Sequence, residues 1–334
     1  MKDRRDMQDK PAGRRILLGV VCGALIYAAM ALWADLSSLG AALKELHWSV
    51  LPLACGLSCA NYLVRFPRWQ RYLAVLDISL ARRTSLLVYL AGLSLTVTPG
   101  KLGETYKSFL LKDITGTPVH RSAPIVIAER ITDLLGFLVL LALGGLLAHP
   151  EQYLIFGAVL LACALLVAVV ARERLSAPLL AICARLPLLK RGAHQLEGAL
   201  HSTRLLLAPR ELPRATLLAT LGWGLECYAF YLVAEALVPG AITFQFATYA
   251  FALSAILGAV LIIFPGGLGI TEASLGGLLV HEFRGAGLLA QAARAKAFAA
   301  TILIRLCTLW FAVLLGLCAA ALLRRRSPSQ TTAT

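Results

Sequence analysis

Along this chain long apolar runs alternate with short polar and basic stretches. A bilayer core about 30 Å thick calls for roughly 20 apolar residues per helix, because every backbone polar group must be satisfied within the segment. Residues 16–34, 48–66, 122–148, 153–171, 216–237 and 297–323 reach that length. These six runs predict spanning helices. Two further runs, 85–98 and 247–264, each lead into a Pro-Gly pair in mid-hydrophobic sequence. Short amphipathic helices are predicted at two other places, with Leu36, Leu39, Leu43 and Leu46 on one face of the first and Leu196, Leu200 and Leu207 on one face of the second.

The two interrupted runs resemble each other. The first continues Pro99, Gly100, Lys101, Leu102, Gly103, Glu104, and the second Pro265, Gly266, Gly267, Leu268, Gly269 and then Glu272. Asn61 and Glu226 precede their Pro-Gly pairs by nearly the same distance, each near the middle of a span, and Arg130 and Arg305 follow in the next span. An amphipathic helix opens each unit. The crossing at 153–171 lies between them and turns the second unit over in the membrane. The predicted fold is therefore all-α: a polytopic transmembrane bundle of two inverted repeats, each holding a re-entrant segment broken at Pro-Gly. Repeat one covers about 36–148, a linking span and loop 153–192, and repeat two about 193–323, within a membrane domain 16–323 flanked by tails 1–15 and 324–334. The alternative is that each Pro-Gly pair merely ends a helix at the membrane surface.

Composition agrees with a membrane chain. Hydrophobic residues make up 59%, charged residues 15%, and the mean hydropathy is +0.76, too apolar for a soluble domain of this length. The net charge of +14 raises the question of nucleic acid, but the basic residues fall between spans rather than along one face. Most of the 32 lysines and arginines lie in segments that share a side with the N-terminus, while Lys44, Arg284, Arg294 and Lys296 lie on the other. The positive-inside rule then places both termini in the cytoplasm and the chain in the cytoplasmic, or inner, membrane. The first run reads as a retained span rather than a cleaved signal.

Ionisable groups at membrane depth are costly, so they tend to face a cavity or a partner. Glu129, Arg130 and Asp133 share one span, with Asp133 one turn from Arg130. Arg130 then serves either as half of a structural ion pair or as a phosphate ligand oriented by Asp133. Arg305 has no acid within a turn of its own helix, so Glu226 and Glu272 are its candidate partners. A helix starting after each Pro-Gly break would offer its N-terminus to an anion such as a lipid phosphate, with Lys101 and Lys107 adding charge near the first. Glu104 and Glu272 could receive an amine headgroup or a coupling proton, or simply complement a helix dipole. Arg65, Arg68, Trp69 and Arg71 form a basic, aromatic cluster at the end of a span, expected as an interfacial anchor and, in a functional version, as a collector of headgroups. No nucleophile–base constellation, metal motif or cofactor motif is evident, and the histidines fall mostly in loops. The expectation is a protein without cofactor or metal that is not an enzyme.

Four stretches together carry a resemblance: Arg65-x-x-Arg68-Trp69; Thr98-Pro-Gly-Lys-Leu-Gly-Glu-Thr-Tyr-Lys107; Ala128-Glu-Arg-Ile-Thr-Asp133; and Phe264-Pro-Gly-Gly-Leu-Gly-Ile-Thr-Glu272. They resemble the lysylphosphatidylglycerol synthase transmembrane, or flippase-like, family. In its bifunctional members a similar membrane region is joined to a soluble aminoacyl transferase domain. The longest stretch between spans here, 172–215, is too short for such a domain, so the resemblance implies no synthase activity. It implies a transporter that moves a phospholipid or other envelope lipid with an anionic or zwitterionic headgroup between leaflets, through a cleft between the repeats. The alternatives are an accessory subunit of an envelope-lipid synthesis system or an integral lipid-modifying enzyme. Self-association and an envelope-synthesis partner both stay open.

Overall fold

The computed structural model describes residues 36–97, 105–145, 153–171, 193–260 and 267–326. Their regular elements are all helical, with no strand among the described residues. The first set is α1 (Leu36–Lys44), α2 (Val50–Val75), α3 (Arg82–Ala91) running on as a 3-10 turn (Gly92–Leu95), α4 (Tyr106–Thr115), α5 (Val119–Ser122) and α6 (Pro124–Leu143). Then come α7 (Tyr153–Ala171) and the second set: α8 (Ala193–Leu206), α9 (Leu212–Leu237), α10 (Phe244–Val260), α11 (Ile270–Gly285) and α12 (Ala290–Arg305). A π-helical segment (Leu306–Trp310) carries α12 into α13 (Phe311–Arg326). The predicted run 16–34, the residues Pro99, Gly100, Lys101, Gly103, Glu104, Pro265 and Gly266, and the loop 172–192 lie outside the described residues. The other five predicted spans each coincide with a helix.

Local sequence accounts for these elements. Pro124 sits at the first position of α6, where its missing N–H would have had no helical partner. Pro67 lies inside α2, a position that spanning helices tolerate when neighbours re-satisfy the backbone. The helix Leu212–Leu237 and the continuous run Ala290–Arg325 are each long and apolar enough to cross a membrane. Leu53 and Leu63 on α2, Leu154, Leu161 and Leu165 on α7, Leu217 and Leu221 on α9 and Leu314 on α13 are exposed. Apolar groups thus point outward while charges lie inside, the order that hydrocarbon solvent favours.

The interior holds two large apolar cores, and the long helices pass from one to the other. Ala54 on α2, Phe137 on α6, Phe230 on α9 and Ile304 on α12 belong to one; Phe66 on α2, Ile131 on α6, Ala215 on α9 and Ala312 on α13 belong to the other. Each helix changes core beside its buried polar residues: Asn61, Asp133, Glu226 and Arg305 all lie near the crossover. A charged layer therefore crosses the bundle between two apolar layers. Helices α2 and α12–α13 traverse it in one sense and α6 and α9 in the opposite sense.

Packing pairs also correspond across the two sets. Helix α2 packs on α9 more extensively than any other pair meets. Helix α10 lies on α6 as α3 lies on α13, and α8 contacts α6 as α1 contacts α12. Helix α9 meets α6, and α2 meets the π-helical segment.

Candidate functional site

The charged layer is organised around Asp133, on α6. Its carboxylate receives Arg65 at 2.8 Å and Arg68 at 2.8 Å, both from α2, and Arg130 at 3.3 Å from its own helix. Arg68 also donates to Thr132 Oγ1 at 2.9 Å. Three guanidinium groups on one buried carboxylate leave positive charge uncompensated by that acid, which is costly away from water. One turn earlier, Glu129 takes the Lys107 ammonium of α4 at 2.5 Å.

The second set of helices contributes a different arrangement. Arg305 Nε donates to Glu272 Oε1 at 2.6 Å. The other oxygen of Glu272 accepts the backbone N–H of Gly269 at 2.6 Å, so the carboxylate caps the start of α11 while pairing with α12. Of the two candidate partners for Arg305, Glu272 makes this pair. Glu226 on α9 accepts from Asn61 Nδ2 on α2 at 2.6 Å and lines the same cleft as Arg305. The two polar residues at matching places in the repeated pattern thus meet each other where α2 and α9 cross.

That crossing is close because position 222 carries no side chain. A Cβ on Gly222 would lie 2.5 Å from Asn61 Oδ1 and 2.8 Å from Arg65 Cδ. Arg65 also stacks over Trp223, its guanidinium carbon 4.5 Å from the ring centroid. Beyond Arg305 the π-helical turn loosens the backbone ladder, and Tyr62 OH donates to the Thr308 carbonyl at 3.2 Å.

A narrow cleft of about 80 Å³ opens among these groups, lined by Arg65, Lys107, Glu129, Arg130, Glu226 and Arg305, with Tyr62, Tyr89, Trp223 and Thr308 between them. Arg130, whose side chain is 28% exposed, is the most accessible arginine of the Asp133 cluster. Residues 16–316 match the family described as the lysylphosphatidylglycerol synthase TM region. The chain belongs to that family. It is a membrane protein of a family tied to lipid synthesis or transport. No curated protein is similar enough to match.

The structure brings together most of the residues that sequence points to in this lysylphosphatidylglycerol synthase TM region: Lys107, Glu129, Arg130, Asp133, Glu226, Glu272 and Arg305. Lys101 and Glu104 fall outside the described residues, and Gly267 and Gly269 lead into α11. The basic, aromatic cluster differs from the expected surface anchor. Arg65, Arg68 and Trp69 are buried, facing the bundle interior, because Asp133 offers the two arginines a carboxylate there and Ser85 accepts from the Trp69 indole at 3.0 Å. Arg71 alone of the four turns outward, to Glu211, at 2.6 Å. Tyr62, Tyr89, Trp223 and Thr308 are cleft residues that the sequence reading leaves out. Trp223 stands one helical turn before Glu226 and Thr308 one turn after Arg305, a spacing that marks both; Tyr89 sits in an apolar run that gives no such signal.

Proposed function

We propose that this protein moves a polar-headgroup lipid between leaflets of the cytoplasmic membrane, the headgroup passing through the cleft while the acyl chains stay in hydrocarbon. The observation that carries the reading is the cation-rich layer around Asp133, placed between two apolar cores and open to the cleft through Arg130. Guanidinium groups bind phosphate oxygens in bidentate fashion. No covalent step is needed, so the protein acts as a transporter rather than an enzyme.

In this reading the two sets of helices are inverted repeats. The opposite senses of α2 and α9, and of α6 and α12–α13, support it, as does the exchange of packing partners between the sets. Both termini face the cytoplasm in this reading. Gates at the two ends open in turn.

The test is reconstitution into liposomes with fluorescent lipids, scoring accessibility of the label to an external quencher. Protein-dependent exchange that falls when Arg130→Ala and Arg305→Ala are introduced is expected. Equal exchange by empty liposomes, wild type and both variants removes the transport reading.

A further inference from the structure

We infer that two matched cations latch the cleft shut at its two ends, Arg121 at the cytoplasmic end and Lys296 at the outer end, and that each must let go for a headgroup to pass on its side. This rests on the transport reading above and names the residues that perform its gating.

The two cations occupy equivalent places. Arg121 precedes Arg130 by nine residues, and Lys296 precedes Arg305 by the same nine. Each donates to a carbonyl at the end of the preceding long helix. Arg121 Nη2 reaches the carbonyl of Leu76, the residue that closes α2, at 2.8 Å. Lys296 Nζ reaches the carbonyl of Leu237, the last residue of α9, at 3.2 Å. A helix leaves its final carbonyls without an internal partner and gathers partial negative charge there, so a cation at that point is held both by the hydrogen bond and by the dipole. Leu76 and Leu237 are both buried. Arg121 lies in α5, directly before α6, and Lys296 in the second turn of α12. The first cation therefore ties α6 to α2, and the second ties α12 to α9.

These four helices are walls of the cleft, α2 through Arg65, α6 through Arg130, α9 through Trp223 and α12 through Arg305. Because α2 and α9 traverse the bundle in opposite senses, their C-terminal ends lie at opposite faces, and one latch falls at each. With both termini cytoplasmic, α2 ends inside and α9 outside. Both latches are made in the structure, and the cleft between them holds about 80 Å³, well below the roughly 300 to 1,000 Å³ of pockets that enclose a ligand. A phosphate-bearing headgroup needs the walls to part, and the latches are what resists parting at the two ends. The outer latch has a second hold, since Lys296 also pairs with Glu45 just after α1 at 2.8 Å, but that carboxylate is 65% exposed. An exposed pair adds little, so the cation on the helix end carries most of the closure.

The test is one-sided labelling of the whole protein carrying Thr308→Cys, a near-isosteric reporter on the buried cleft wall. A membrane-impermeant maleimide is applied to spheroplasts, which present the outer face, or to inverted membrane vesicles, which present the cytoplasmic face. Adducts at position 308 are read by peptide mass spectrometry, which separates them from those of the native cysteines. Lys296→Met is expected to raise labelling from the outer face by about fivefold, a charge-assisted hydrogen bond discounted for partial exposure, and to lower it from the cytoplasmic face. Arg121→Met is expected to give the mirror image. Glu45→Gln should act in the direction of Lys296→Met, within about twofold. Lys296→Arg and Arg121→Lys, which keep the cation, should restore the wild-type pattern. The fall on the opposite face is the result that a merely stabilising cap does not give. Labelling unchanged in both Met variants, or raised from both faces, overturns the inference. Should one Met variant not fold, the other and Glu45→Gln decide. One-sided shifts in a protein without leaflet exchange remove the transport reading and leave the latches standing; leaflet exchange with unshifted labelling does the reverse.

Discussion

The two sets of helices supply matched positions to the cleft and fill them with unlike charges. On the first side Arg65, Arg68, Lys107 and Arg130 face Glu129 and Asp133; on the second, Arg305 faces Glu226 and Glu272. Arg130 and Arg305 stand at corresponding places, yet three residues further on one helix carries Asp133 and the other Thr308. The helix pairings also reverse polarity. In the first set α4 brings the cation to an acid on α6, whereas in the second α11 brings the acid to a cation on α12. If the two sets are repeats, as proposed, they need not share a binding role. Cations exceed carboxylates on the first side, which is where the proposed reading seats an anion; the second side is closer to a structural strut that ties α11 to α12.

The sharpest way to break this comparison is to remove the acid on which the first side is organised. Asp133→Ala leaves Arg65, Arg68 and Arg130 without their shared carboxylate and is expected to cost about 3 to 5 kcal/mol, as for a broken buried ion pair. Thermal unfolding in detergent reads it. A variant that melts with wild type means the arginines do not depend on Asp133.

Gly222→Ala comes next. Its methyl group presses on Asn61 and Arg65 at the α2–α9 crossing, and overpacking of this kind costs about 1 to 3 kcal/mol. Unchanged melting together with unchanged leaflet exchange would mean that the two helices part without penalty. Smaller again in stability, but decisive for the asymmetry, is the contrast between arginines. Arg130→Ala is expected to slow leaflet exchange by about tenfold, one lost charge-assisted contact. The slowing should come with little loss of stability, while the fall in exchange on Arg305→Ala should come with a lower melting temperature, because Glu272 is stranded. The reverse pattern would place the binding role on the second side.

The smallest effect belongs to the rim. Arg71, hydrogen-bonded to Glu211 just before α9, holds that carboxyl below the usual carboxylate range. A lowered folded value contributes stability that is complete above about pH 4.5 and is lost as the pH falls through the folded value. The pair is largely solvent-exposed on the arginine side, so Glu211→Gln should cost less than about 1 kcal/mol, and less in high salt. A larger cost would promote this contact from rim ion pair to gate.

Much of this arrangement was legible before any coordinates. Length of apolar run places α2, α6, α7, α9 and the α12–α13 helix, because a bilayer sets a minimum that few other structures require. Asn61 and Glu226 stand out as polar residues in apolar runs, and the cost of burying them directs attention to the crossing they share. Periodicity could not tell that Glu272 pairs with Arg305, since the two come from different helices and only tertiary packing brings them together. The same limit hid the inward turn of Arg65 and Arg68. A basic residue near a helix end reads as surface until Asp133, on a distant part of the chain, is known to lie opposite. Aromatic residues such as Tyr89 look like ordinary core until Lys107 is found above the ring.

The most direct trial of the central claim is to ask where a headgroup sits. An anionic lipid with a photoactivatable group on its headgroup, crosslinked to the reconstituted protein and mapped by mass spectrometry, should mark peptides of α2, α6 and α12 around Arg65, Arg130 and Arg305, with labelling reduced by excess unmodified phosphatidylglycerol. Adducts confined to outward-facing residues such as Leu154 and Leu161, insensitive to that competition, would contradict an anion site within the bundle.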